Sequence, residues 1–224
     1  MKCLMSIFLT ICMVASVALL LPSCSTNEEI TSSVSESEEQ THQTKQSETD
    51  TTDTTTTTQE KSDDSTNILV VYFSCTETTE QIADWIVTET SADVYEILPK
   101  DPYTDEDLDY NNSSSRANQE QADSTARPEI SNILDSIDQY DVIFLGYPIW
   151  HGQAPRIIST FLESFDCSQK TIIPFCTSHS SGIGSSAENL HSLCADTVVW
   201  LDGERFSSDT TADDISDWLD GLNY

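Results

Sequence analysis

Ile68-Leu69-Val70-Val71-Tyr72-Phe73, followed at once by Ser74-Cys75-Thr76-Glu77-Thr78-Thr79, decides how the rest of the chain is read. Six apolar residues without polar alternation are the pattern of a central parallel strand, buried on both faces. The hydroxyl-rich stretch then opens a helix whose buried face carries Ile82, Ala83, Trp85 and Ile86. Unpaired N–H groups and the helix dipole favour an anion at such a start. Ser74, Thr76, Thr78 and Thr79 are therefore candidate phosphate ligands. The loop has no lysine, which excludes a triphosphate loop of the Walker type. Simple capping of the helix by Ser and Thr explains the isolated loop equally well.

Downstream the same texture repeats. Asp93 to Leu98 reads as a second strand, stopped by Pro99. Residues 99–128 are polar, rich in Asp, Asn and Ser, and longer than an ordinary connection, a length that marks a functional or disordered loop. Pro128 suits the first position of a helix with the stripe Ile130, Ile133, Leu134 and Ile137. Strands follow over 141–146, 170–176 and 197–201. The helices between and after them are marked by Ala154, Ile157, Ile158, Phe161, Leu162 and Phe165, then Ala187, Leu190 and Cys194, then Ile215, Trp218, Leu219 and Leu222. Five strands alternating with helices predict an α/β domain, a parallel sheet covered on both faces. Ligands of such sheets bind beyond the carboxyl ends of the strands, where the strand order reverses. Chemistry is thus expected in the first, third and fourth strand-to-helix loops.

Upstream, Met1-Lys2-Cys3 leads into an almost wholly apolar run through Leu21, the pattern of a secretory signal or a membrane anchor. Leu21-Pro22-Ser23-Cys24 resembles a bacterial lipobox, with cleavage after residue 23 and lipid on Cys24. An uncleaved anchor is the other reading, and both place the remainder outside the cytoplasm. Residues 24–66 are then the lipidated cysteine and a Ser/Thr/acidic tether, too poor in apolar residues to fold. A flexible chain of that length reaches roughly 35–40 Å.

The net charge of −30 divides into +1 for the signal, −9 for the tether and −22 for residues 67–224, where twenty-eight acids face six bases. A domain this acidic repels phosphate backbones, which argues against nucleic acid as a partner. Of seven cysteines, Cys75, Cys167, Cys176 and Cys194 belong to the domain, and their spacing suggests no metal site. Cys167 and Cys194 end helices at the amino edge of the sheet beside adjacent strands, which makes them candidates to pair.

The loop after the third strand, Gly146-Tyr147-Pro148-Ile149-Trp150-His151-Gly152-Gln153-Ala154-Pro155, holds bulky, exposed aromatics between glycines and prolines, which suits a flat aromatic cofactor. A core contact explains Trp150 alone. Cys176-Thr177-Ser178-His179-Ser180-Ser181-Gly182-Ile183-Gly184-Ser185-Ser186 is built of small residues that let a ligand approach the backbone, or is a mobile surface loop.

Together these loops resemble the flavodoxin family, and more closely its branch of short bacterial flavodoxin-like proteins, some of them lipoproteins. The carriers are Val71 to Thr79, Ala126 to Ile130, Gly146 to Pro155 and Thr177 to Gly184, spread over residues 68–224. The resemblance implies a three-layer sandwich with strand order 2-1-3-4-5 and non-covalent FMN. Ser74, Thr76, Thr78 and Thr79 would take the phosphate. Pro148, Ile149, Trp150, His151 and Gly152 would flank the ring on one side, with Trp150 stacked on it. Ser178, His179, Ser180, Ser181 and Gly182 would flank it on the other. Two residues depart from the pattern: the phosphate loop usually has glycine at Glu77, and a second tryptophan is common at His151.

The function implied is an extracytoplasmic flavoprotein that passes electrons to a redox partner protein or reduces a small oxidant such as a quinone. The cofactor supplies the redox chemistry and the protein its placement. Negative charge around the ring would lower the reduction potential. The rival reading is a surface-anchored binding protein that kept the fold and lost the flavin, with residues 99–128 as its interface and Glu77 as the feature in its favour.

Overall fold

The computed structural model describes residues 66–132 and 134–224. The signal segment, Cys24, the tether up to Ser65 and Ile133 lie outside the described residues.

The elements run β1 (Ile68–Tyr72), α1 (Thr78–Thr90), β2 (Asp93–Glu96), α2 (Arg116–Ala122), β3 (Val142–Pro148), α3 (Arg156–Glu163), β4 (Thr171–Thr177), a short 3-10 helix (Glu188–Leu193), β5 (Val199–Trp200), β6 (Glu204–Phe206) and α4 (Ala212–Asp220). All strand pairs are parallel, in the order β2-β1-β3-β4-β5. β1 shows why its sequence is apolar throughout. Leu69, Val71 and Phe73 join one core layer with Ile157, Ile158, Phe161 and Leu162 of α3. Val70 and Tyr72 join the other with Ile82, Ala83 and Ile86 of α1 and Ile215 of α4. Each such side chain gains about 1.5–3 kcal/mol by full burial, so a polar substitution on either parity of β1 would strip one layer. Gly146 in β3 is fixed by packing, because a Cβ there would sit 2.2 Å from the Phe175 ring.

The edge beyond β4 is where the five-strand expectation needs correcting. Residues 199–200 pair with Thr171 and Ile172, and residues 204–206 with Phe175 to Thr177, so one edge strand is broken into β5 and β6. Proline is the cause. Ile172 accepts a bond from Leu201 N, so Pro174, two residues on, faces the same edge without an N–H to give. The chain leaves the ladder there, and Gly203 passes where a Cβ would lie 2.5 Å from the Pro174 carbonyl oxygen.

Among the described residues, the helix expected after Pro128 does not form. Ile130 instead bridges Pro99 in antiparallel fashion, Ser131 N donates to Leu98 O and Lys100 N to Glu129 O. Asn132 completes the edge: its Oδ1 accepts from Leu98 N at 3.1 Å and its Nδ2 donates to Glu96 O at 2.6 Å. An amide side chain that replaces ladder bonds offers the backbone a rival to helix, and the segment covers the exposed edge of β2. Conversely α2 arises inside the stretch read as loop. The helix expected around Ala187 and Leu190 is a 3-10 helix, and both β3 and β4 run to the prolyl and threonyl ends of their loops, Pro148 and Thr177.

Candidate functional site

β1 lies between β2 and β3, so the strand order reverses at its carboxyl end. There α1 starts without any side-chain cap, and its first-turn amides are left for a ligand or water. Ser74 Oγ is buried with no hydrogen-bond partner, and the residue lines a hollow with Phe73, Leu98, Pro99 and Tyr103. An unpaired buried hydroxyl costs about 1–3 kcal/mol, which an anion at this position would relieve. Thr76 and Glu77 are exposed, and Thr78 makes only a 3.4 Å contact to Thr76 O. Thr79 is turned inward: its hydroxyl pairs with that of Thr177 at 2.7 Å and ties the start of α1 to the end of β4. Glu77 has φ 62°, a left-handed conformation that favours glycine.

The loop after β3 is a tight turn. Trp150 and Gln153 exchange backbone bonds of 2.9 and 3.0 Å around His151 and Gly152, whose φ values of 50° and 77° are those of a type I′ turn. Tyr147, read as exposed, is fully buried in β3. Trp150 packs edge-on against Phe73 and Tyr103, with centroids 5.7 and 5.2 Å away. α2 pins the turn from outside, where Gln121 Nε2 donates to Trp150 O at 2.8 Å and to Ala154 O at 3.2 Å. His151 stacks on Tyr110 at 4.1 Å and meets Asn118 Oδ1 through Nε2.

After β4, Ser178 donates its hydroxyl to Ser181 O, and Arg205 of β6 clamps the turn. Its Nη2 donates to Ser178 O at 2.6 Å and to His179 O at 2.9 Å, and its Nε to Ser178 Oγ at 3.1 Å. The three loops meet in a cleft of about 270 Å³ lined by Thr76, Thr78, Pro148, Ile149, Trp150, Thr177, Ser178, His179 and Ser208. Ser180, Ser181 and Gly182 are exposed and do not line it. In this loop the glycine whose conformation favours glycine is Gly184, at φ 52°. A larger hollow of about 770 Å³ between residues 129–135 and α3 shares no residue with the three loops.

The flavodoxin family model matches residues 67–222. The chain belongs to the flavodoxin family. It is 43% identical to a candidate flavoprotein of Bacteroides eggerthii, covering 69% of this chain and 96% of that one, with a TM-score of 0.64. A candidate flavoprotein of Bacteroides uniformis is 37% identical over 69% of this chain and 98% of its own, with a TM-score of 0.66. A flavoprotein of Lactobacillus acidophilus, solved in complex with FMN, shares the fold at 22% identity, covering 67% of this chain and 99% of that one, with a TM-score of 0.51. No curated protein matches the chain.

Several residues of this flavodoxin-family site were not legible in the sequence. Arg205 of β6 and Ser208 after it lie beyond Leu201, where the apolar pattern of the last strand ends, so periodicity does not bring them to the cleft. Tyr110, Asn118 and Gln121 sit in the long polar segment; the i,i+4 pair of Arg116 and Glu120 is the signal for α2 that it contains. Cys75 lies beside the cleft, but burial pushes its thiol up to about 12 and keeps it protonated at neutral pH. Among the described residues no cluster of His, Cys, Asp or Glu could hold a metal ion, and no helix is long and apolar enough to cross a membrane.

Proposed function

We propose that this chain is an FMN-binding electron-transfer protein, held at the outer face of a membrane by lipid on Cys24. The observation that carries the reading is the meeting of an uncapped helix start and two strand-to-helix loops at one cleft, with an unpaired buried hydroxyl, Ser74, two residues before Thr76 of its lining. The phosphate would lie at the amides of Thr78 and Thr79, with Ser74 and Thr76 as hydroxyl donors. The ring would lie between the Pro148–Gly152 turn and the Ser178–Gly182 turn, beside Trp150. FMN, when bound, supplies one- or two-electron chemistry; the chain orients the ring, shields one side of it and sets its electrostatics. Electrons would pass to a redox partner protein or to a small oxidant such as a quinone.

Purified residues 67–224 are expected to be yellow, or to turn yellow with one equivalent of FMN and to bind riboflavin more weakly. A colourless domain indifferent to FMN would return the reading to a binding protein without flavin. For the anchor, Cys24→Ser is expected to abolish lipid labelling and release the protein from the membrane fraction; unchanged labelling would refute it.

A further inference from the structure

Beside the cleft lies a second, narrower space of about 200 Å³, lined by Cys75, Thr76, Leu108, Tyr110, Ala117, Asn118, Pro148, Trp150 and His151. It shares Thr76, Pro148 and Trp150 with the cleft proposed to hold the flavin, so the two are contiguous. Its far wall comes wholly from the segment between β2 and β3, through Leu108, Tyr110, Ala117 and Asn118. That wall is built, not draped. Ala117 N donates to Asp107 O at 3.0 Å. Arg116 bonds Glu120 and Asp101 O and covers the Tyr103 ring, 4.0 Å from its centroid.

The polar end of this slot is equally fixed. Asn118 Nδ2 donates to the carbonyls of Asp109, Tyr110 and Asn112, at 3.3, 3.2 and 2.7 Å. Its orientation is thereby set, and Oδ1 is the atom facing His151 Nε2. An amide oxygen only accepts, so Nε2 carries a hydrogen, and Nδ1 is the nitrogen of His151 left for a ligand. Leu108, Ala117, Pro148 and Trp150 supply apolar walls around it.

We propose that this slot is the acceptor site of the flavoprotein, and that it takes a single-ring quinone. The proposal rests on the flavin reading above. Its volume holds one substituted six-membered ring and excludes a three-ring system, the apolar walls suit the ring faces, and Nδ1 of His151, an acceptor, suits the hydroxyl of the reduced ring. Reduction of the bound quinone to hydroquinone takes two electrons and two protons, which is what a two-electron-reduced flavin gives up on returning to its oxidised form. One proton travels with the electron pair and the other comes from solvent.

The test is calorimetric titration of the oxidised, FMN-loaded protein with duroquinone, a single-ring quinone that has no free position for thiol addition by Cys75. Ala117→Phe fills the slot from α2 and is expected to weaken duroquinone binding at least tenfold, with FMN affinity within twofold. Leu108→Ala widens the slot and is expected to keep duroquinone and to admit an anthraquinone that the unaltered protein refuses. Unchanged duroquinone affinity in Ala117→Phe would overturn the proposal, as would parallel loss of FMN and quinone, since the slot would then be part of the flavin's own bed. Failure of the unaltered protein to take FMN would refute the flavin reading separately, and the quinone titration would then be judged on the protein as purified.

Discussion

Glu77 is the residue at which local geometry and ligand chemistry pull in opposite directions. Its backbone is left-handed, at φ 62°, which costs a non-glycine residue about 1–2 kcal/mol. Its carboxylate also stands at a helix start that is otherwise prepared for an anion. One pair of unit charges about 6 Å apart at an effective dielectric near 20 repels by roughly 3 kcal/mol. Because Glu77 is exposed, solvent and salt screen most of that. Glu77→Gly is therefore expected to tighten FMN binding by about 1 kcal/mol, roughly fivefold, and to leave riboflavin within twofold. Thr76→Val is expected to weaken FMN alone. Equal effects on FMN and riboflavin, measured by fluorescence titration, would place the phosphate elsewhere. The hydroxyl-rich loop and its position on α1 were legible from residue types. What was not legible is that Thr79 spends its hydroxyl on Thr177, a partner ninety-eight residues away. The need for positive φ at Glu77 and His151 was likewise hidden, because φ is set by the turn each residue must close.

At the scale of elements, periodicity served wherever a segment had a layer to pack against. α1, α3, α4 and the central strands fall where their apolar residues put them. It misled at residues 128–137, where the helical stripe was present but the free edge of β2 offered better-satisfied backbone bonds, secured by Asn132. α2 escaped because only Ala117 among its seven residues is buried. α4 is set by a full capping box, Thr211 with Asp214. The hydrogen bonds from Thr211 hold the Asp214 carboxyl below its usual range. A group depressed on folding contributes stability above its unfolded pKa, near 3.9, and loses it as pH falls through the folded value. Thr211→Ala should lower the Tm by about 3 °C at pH 7, and the gap should narrow as pH falls below about 4, where only the Asp214 N–H to Thr211 Oγ bond is left; a gap constant with pH would deny Asp214 its part. The short helices flanking β4 also bring Cys167 and Cys194 into side-chain hydrogen bonding, which holds Cys167 down and Cys194 up in pKa. Both are free thiols in the structure. Oxidation is expected to join them and, by closing a 27-residue span (194 − 167), to stabilise the fold by about 3.5 kcal/mol, or about 10 °C in Tm. Two thiols still titratable there after non-reducing purification would refute the pairing.

The whole molecule is distinguished by where its few positive charges go. Residues 67–224 carry six bases against twenty-eight acids, and the structure commits every one of the six internally. Lys100, Arg116 and Arg127 pair with Glu129, Glu120 and Glu163. Arg156 donates to the carbonyls of Glu120 and Gln121, and Arg205 to those of Ser178 and His179. Lys170 is buried with its ammonium on Tyr140 O at 2.7 Å. The acids thus outnumber any counter-charge left at the surface, and the long-range field is of one sign. Such a field accelerates encounter with a cationic partner and decays over about 10 Å at 0.1 M salt. If the electrons leave to a protein, that partner carries a basic face. Its second-order rate should then fall at least tenfold as ionic strength rises from about 0.01 M to about 0.5 M. A neutral quinone feels no such steering, so its rate should stay within twofold over the same range. Stopped-flow reoxidation of the reduced protein separates the two. Salt-sensitive transfer to a basic protein identifies the physiological type of acceptor as macromolecular. Salt-insensitive transfer to every protein acceptor, with fast reoxidation by duroquinone, leaves the slot beneath α2 as the route by which electrons leave.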